Sequence, residues 1–250
     1  MAEETGTKTG AVVVVTLGQA GGELVAFCAG RPVGSAVEAA ALARACAALP
    51  VLGAIFGWMA AYAGDWVGQR STREIGAVVT LLLLMISSGG RFLRDLGGVV
   101  GHATGSPAFA RLVPALVFAA EGIAIVELPD GLRTVAVVLA ALLGRWAFVV
   151  QGYGSLVASG DANTAALVRG LEFREFGLAS VSAMALTLAV SAPLGLLALM
   201  LVAALAIGFR IAVHRWQGGV SLETLGAGAA VGELTPLLFL VALAYLLGAS

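Results

Sequence analysis

The sequence predicts an all-α fold: a polytopic integral membrane helical bundle of about six to eight membrane segments with a helix break near Pro193. Three observations predict it. Hydrophobic residues make up 60% of the 250-residue chain and charged residues only 12%, where a soluble domain carries about 25% charge. Mean hydropathy is +0.99. Apolar runs long enough to cross a bilayer recur along the chain. These values exclude a soluble globular enzyme, a disordered tail and a nucleic-acid-binding module. Two cysteines cannot staple a secreted scaffold, and a net charge of −1 gives no field to attract nucleic acid or anionic lipid.

Residues 1–10 are polar and carry Glu3 and Glu4. They lack the basic start of a signal peptide and are expected to form a cytosolic or exposed tail ahead of a single transmembrane domain, 11–250. Segment 11–30 opens with Val12–Val15 and then meets Gln19, Gly21, Gly22 and Glu23, so it either spans or lies in the interface as an amphipathic helix. Segments 46–64, 75–88, 112–128, 134–150 and 234–248 each read as a span. Segment 178–209 is too long for one: at ~1.5 Å per residue it would reach about 48 Å against a hydrocarbon core of ~30 Å. Pro193 and Gly195 at its centre predict two helices meeting in a tight turn, or a hairpin that dips in and returns. Cys28 and Cys46 fit no metal or redox spacing and read as small apolar helix residues. The 34 glycines predict close helix contacts and irregular backbone around a cavity.

Thirteen arginines and Lys8 make up the basic residues. Counted over eight segments, loops 31–45, 89–111, 151–177 and 210–233 hold Arg31, Arg44, Arg91, Arg94, Arg111, Arg169, Arg174, Arg210 and Arg215, nine in all. The other face holds Lys8, Arg70, Arg73 and Arg133. The positive-inside rule puts the arginine-rich loops in the cytoplasm of a multi-pass protein of the cell inner membrane.

Chemistry is expected at three places. Loop 87–105 is dense in glycine, whose backbone amides can approach a phosphate, and adds Arg91 and Arg94, whose planar forks suit phosphate. Asp95 and His102 lie seven apart, so on a helix they share a face and could hold a divalent metal. In 214–233, Glu223 and Glu233 bracket a Gly/Ala-rich helix start. Glu223 could also serve as a helix-terminus carboxylate, while Glu233 precedes an apolar run, where an ionisable group is costly unless it works or is paired. Arg145 sits inside segment 134–150. It is either a functional buried charge or a snorkelling side chain with Trp146 as its belt residue. Glu121 is the other intramembrane charge, placed to pair with an arginine inside the bundle.

Arg31-Pro32-Val33, Leu49-Pro50-Val51-Leu52-Gly53, Leu143-Gly144-Arg145-Trp146-Ala147, and Gly218-Gly219 with Ser221, Leu225-Gly226-Ala227 and Gly232-Glu233 follow one another along nearly the whole chain. In that order the chain resembles the cobalamin synthase family, the adenosylcobinamide-GDP ribazoletransferases. The family's acidic motif is thinner here: with one residue inserted at Arg91, Asp95 takes the first acidic position, and Val99 and His102 take the next two. Glu223 stands for an aspartate of the closing motif, Ala230 for its first glutamate, and Glu233 remains.

The resemblance implies a glycophosphotransferase. It would join adenosylcobinamide-GDP and α-ribazole, or its 5′-phosphate, release GMP and yield adenosylcobalamin. The expected catalytic residues are Asp95, Glu223 and Glu233. Gly89, Gly90, Arg91, Arg94, Arg145, Gly218, Gly219 and Ser221 are expected to bind substrate, and Mg2+ is expected on Asp95, His102 and Glu223. The partners are then the corrinoid and nucleoside substrates and the lipid bilayer, with no nucleic acid; a homo-oligomer stays open. Two alternatives compete: a non-catalytic relative that binds a corrinoid precursor or scaffolds the pathway, and a transporter built on the Gly-interrupted helices and the Pro193 break.

Overall fold

A computed structural model of the chain describes residues 22, 26, 34–158 and 160–248. The expected tail 1–10, Cys28, Arg31 and the crossing of 11–30 as a whole lie outside the described residues. The rest is a helical bundle. A short α1 (Ala36–Ala45) runs through a 3-10 turn (Cys46–Ala48), which buries Cys46, into α2 (Leu49–Gly68). Then come α3 (Arg73–Ser87), α4 (Arg91–Thr104), α5 (Pro107–Glu127), α6 (Asp130–Gly152), a short α7 (Ala162–Gly170), α8 (Phe173–Gln217) and α9 (Leu222–Leu246). Five of these stretches are long and apolar enough to cross a membrane, six if α3 and α4 count as one broken span.

Helix α6 is the axis. Every residue from Ala136 to Gly152 is buried, and α2, α8 and α9 pack around it. Small residues make this close packing possible. A Cβ at Gly53 would lie 2.4 Å from the Ala141 carbonyl oxygen, and one at Gly57 would lie 2.9 Å from Val138 Cα. Gly53 and Gly57 therefore form a small-xxx-small stripe that lets α2 and α6 meet backbone to backbone. By contrast, only 17% of the apolar window of α5 and 22% of that of α8 are buried within the chain. Their uncovered faces, including Leu112, Leu116, Leu197 and Met200, suit lipid tails.

The break in 178–209 takes the form of the expected tight turn. Helical geometry is interrupted at Ser191 (φ −165°, ψ 102°), two residues before Pro193. In a straight helix residues eight apart are separated by about 12 Å. Here a Cβ on Gly195 would lie 2.7 Å from the carbonyl oxygen of Thr187. The two limbs of α8 therefore fold back on each other, and Ala179, Ala183 and Thr187 of one limb and Gly195, Ala198 and Val202 of the other are all buried.

Two expectations about loops are corrected. Residues 89–111 do not form a Gly-rich loop: 91–104 is helix, bent 77° from α3. Gly89 and Gly90 make the turn in left-handed conformations (φ 57° and 66°), and Gly105 (φ 65°) ends the helix. The interior glycines do not break α4 because its other face repeats Phe92, Leu96 and Val99 at helical spacing, all buried. Likewise α9 begins at Leu222, well before the expected span at 234, because its Gly/Ala-rich first half is buried between neighbouring helices. The third correction concerns 75–88. At 15 residues, α3 reaches only about 22 Å and is half of a bent pair rather than a full span.

The two ends of the bundle differ. At one end Arg133 pairs with Asp65 (3.4 Å) and Asp130 (2.7 Å), and Arg73 pairs with Asp130 (3.5 Å). Arg133 also donates to the carbonyls of Ile125 (3.1 Å) and Leu128 (3.2 Å), completing the C-terminus of α5. At the opposite end lie the C-terminal half of α4, with His102 3.4 Å from Glu223, the 153–161 connection and the α8–α9 turn. Val157 and Val220 form a parallel bridge there, and Arg210 donates to the Tyr153 carbonyl (2.8 Å). The described arginine-rich connections thus gather at one end, as the alternation of segments predicts. In sealed vesicles of uniform orientation, cysteines introduced in a Cys46→Ala, Cys28→Ala background at Ser106 and Asn163 should react with an impermeant maleimide from one side, and one at Gln69 from the other. Labelling of all three from the same side would break this topology.

Candidate functional site

The gathered end carries a charged cluster built between α4 and the start of α9. Helix α9 starts with a capping box: the Thr224 amide donates to Ser221 Oγ (3.2 Å), and the Ser221 amide donates to Thr224 Oγ1 (2.8 Å). This fixes Glu223 in the first turn, facing α4. On α4, Arg91 and Asp95 stand one turn apart and are joined at 3.2 Å, Nε to Oδ2, both buried. The exposed Arg94 approaches the other oxygen of Asp95 at 3.8 Å.

The two helices interlock through glycine. A Cβ on Gly226 would lie 2.0 Å from Asp95 Oδ2 and 2.8 Å from its Cβ. A Cβ on Gly98 would lie 1.5 Å from Glu223 Oε1. Each helix thus seats its carboxylate in a notch that the other leaves open. One turn beyond Gly98, the exposed His102 places Nδ1 3.0 Å from the Gly98 carbonyl oxygen and 3.4 Å from Glu223 Oε2. A carbonyl oxygen only accepts, so Nδ1 carries the proton. In the neutral ring Nε2 is then the lone-pair nitrogen, which is the arrangement of a general base oriented by a carboxylate.

Asp95 and His102 share a face of α4, as their spacing implies, about 10 Å apart along it, and Glu223 reaches His102 from the facing helix. Glu233 is not with them: ten residues on from Glu223 along α9, it lies about 15 Å deeper. There it pairs with Arg145 (3.2 Å), seated over Gly144, whose Cβ position is 2.2 Å from Glu233 Cγ. Arg145 does not snorkel. Its side chain is 1% exposed, and it donates to Ala141 O (2.9 Å), Ser87 O (3.2 Å) and Ser87 Oγ (2.6 Å). The rings of Phe56 and Phe92 lie within 5.9 Å of its guanidinium carbon. Trp146 is no belt residue either; it is buried, with Nε1 donating to Ser180 Oγ at 3.2 Å. Arg145 thus ties α3, α6 and α9 together.

The remaining expected substrate contacts have structural work in this conformation. Gly218 (φ 74°) ends α8. Gly219 lets the chain pass residues 156–158, since its Cβ would lie 2.4 Å from Val157 C. Ser221 caps α9. Gly89 and Gly90 make the α3–α4 turn beside Arg91.

Magnesium takes several hard oxygen ligands. Both oxygens of Asp95 face arginines, and the His102 nitrogen nearest Glu223 bears a proton. Among the described residues no group of three His, Cys, Asp or Glu side chains is placed to hold a metal ion. The side chains as arranged do not fit the expected Asp95–His102–Glu223 magnesium site.

Sequence reasoning passed over two residues. Ser87, the anchor of Arg145, was hidden in a run of small polar residues. Gln151 is 1% exposed and packs over Gly228, and its Nε2 has no hydrogen-bond partner. Its signal was an amide at the end of the apolar run 134–150.

The notches make a graded prediction. Gly226→Ala meets Asp95 close to the backbone and should cost about 1–3 kcal/mol, the usual penalty for overpacking. Gly98→Ala meets only the flexible end of Glu223, so it should cost less while detaching Glu223 from His102. Gly177→Ala, with nothing within 4 Å of its Cβ, should be neutral or stabilising. Thermal unfolding in detergent would rank the three, and Gly226→Ala unfolding no earlier than Gly177→Ala would contradict the packing.

Compared with models of known families, with characterised proteins and with solved structures, the chain matches none.

Proposed function

We propose that the chain is a membrane-embedded ribazoletransferase that joins adenosylcobinamide-GDP to α-ribazole and releases GMP at the arginine-rich end of the bundle. The observation that carries this reading is convergence. The motifs that resemble the cobalamin synthase family are separated by more than a hundred residues, yet 89–95 and 218–226 meet in one charged cluster, while 143–147 braces the helices beneath it.

The cluster has the parts that a phosphoryl-linked transfer needs. His102 Nε2 accepts the proton of the ribazole 5′-hydroxyl, with Glu223 orienting the ring and stabilising its charged form. The hydroxyl oxygen forms a bond to the phosphorus carried by cobinamide. The bond from that phosphorus to the bridging oxygen breaks, and GMP leaves with the electron pair. Arg94, the exposed cation of the cluster, faces the diphosphate, and the Arg91–Asp95 pair holds α4 in place beneath it. No resident metal enters this scheme. The cytoplasm, where both substrates are made, would be the side the cluster faces.

The test is GMP release by the full chain in lipid nanodiscs supplied with both substrates. Wild type should release GMP and form a cobalamin product. His102→Ala should lower kcat by about 10²–10⁴-fold, the usual worth of a general base. Glu223→Gln should lower it less, and Arg94→Ala should mainly raise KM. Corrinoid binding without GMP release, beside an active relative run in parallel, would replace this reading with a binding protein.

A further inference from the structure

Midway through the bundle, clear of the charged cluster, Glu121 of α5 and Glu233 of α9 line one small cavity. Its volume is about 20 Å³, and Ser88 supplies its only other polar side chain. The rest is apolar: Leu84, Phe92, Phe118 and Leu237 among others. The space suits a single water, which needs roughly 10–15 Å³. Glu121 is 7% exposed. Among the described residues no hydrogen bond or ion pair reaches it.

The charges around the cavity do not balance. Helix α6 contributes Arg145, paired with Glu233. Helix α3 contributes the neutral Ser87 and Ser88, and α4 contributes Phe92 and Leu93 to the lining, its Arg91 and Asp95 being paired with each other. Two carboxylates thus line the cavity, and the nearby guanidinium of Arg145 is already paired with one of them, Glu233. An uncompensated charge at this depth is strongly disfavoured. A metal cation would require several oxygen ligands and more room than one water. A proton requires neither.

We propose that Glu121 and Glu233 form a proton-binding site in the membrane interior, with one proton held by the pair and Arg145 balancing the remaining charge. Loss of that proton sets a second carboxylate charge beside Glu233 and weakens the balance that holds Arg145 against α9. The site links proton uptake to the α6–α9 contact and stands apart from the transferase reading.

The experiment is infrared spectroscopy of the full chain in nanodiscs across a pH titration, paired with labelling by the apolar reagent dicyclohexylcarbodiimide, which attacks protonated carboxyls within bilayers. Wild type should show one protonated-carboxyl band at neutral pH that disappears at alkaline pH. The reagent should modify Glu121 or Glu233, and sodium or potassium should not protect. Glu121→Gln, which breaks no contact, should keep the fold and lose the band. Glu233→Gln should lose it as well, because Glu121 then takes over the charge of Arg145. A band that persists in Glu233→Gln would reduce the site to an isolated neutral glutamate and overturn the pair. Protection by sodium would make it a cation site, and no band at all at neutral pH would end the proposal.

Discussion

The bundle depends on seating polar side chains over glycines of the facing helix. Asp95 lies on Gly226, Glu223 on Gly98, Glu233 on Gly144 and Gln151 on Gly228. In each case the missing Cβ opens a space that the polar side chain of the facing helix fills. Between membrane helices there is little hydrophobic drive to association, and close approach with satisfied polar groups takes its place. A leucine-rich seam would hold these helices apart at the distance of its side chains. The glycine notch holds them close enough for an ion pair to reach across.

This arrangement stacks the polar groups in two levels along α9. Near its start Glu223, Asp95, Arg91, Arg94 and His102 form a cluster open to water on one side, with Arg94 and His102 exposed. About three turns deeper, Arg145, Glu233 and Ser87 form a closed one. The upper level can exchange ligands and protons with the medium. The lower one is walled by Phe56, Phe92 and the core of α6, where every donor must find its acceptor within the protein. The buried arginine is therefore a brace for three helices, and the chemistry sits on top of that brace.

The far end shows a different solution to the same backbone problem. Arg73 and Arg133 donate to the last carbonyls of α5 while pairing with Asp65 and Asp130. The arginines counted there for topology also close a helix terminus. The exposed Trp58, Tyr62 and Trp66 run toward that end on α2, with Arg70 stacked on Trp66 at 4.1 Å, as a membrane interface favours.

The sequence by itself determined the class of the fold, because hydropathy over windows of about twenty residues is a local quantity with a bilayer-scale consequence. It located the reversal near Pro193, because length required a break and Pro193 and Gly195 marked its place, and it placed Asp95 and His102 on one helical face. It read 89–111 as a loop and started the last span at 234, since glycine signals a loop unless a partner surface buries it, and the partner lies more than a hundred residues away. Only the tertiary structure decided that Arg145 points inward to Ser87 and Glu233, that Glu223 meets His102 while Glu233 does not, and that Glu121 faces a cavity without a partner. Those outcomes depend on which helices come close enough for notch and side chain to engage, and closeness between distant segments is not written in the period of either one.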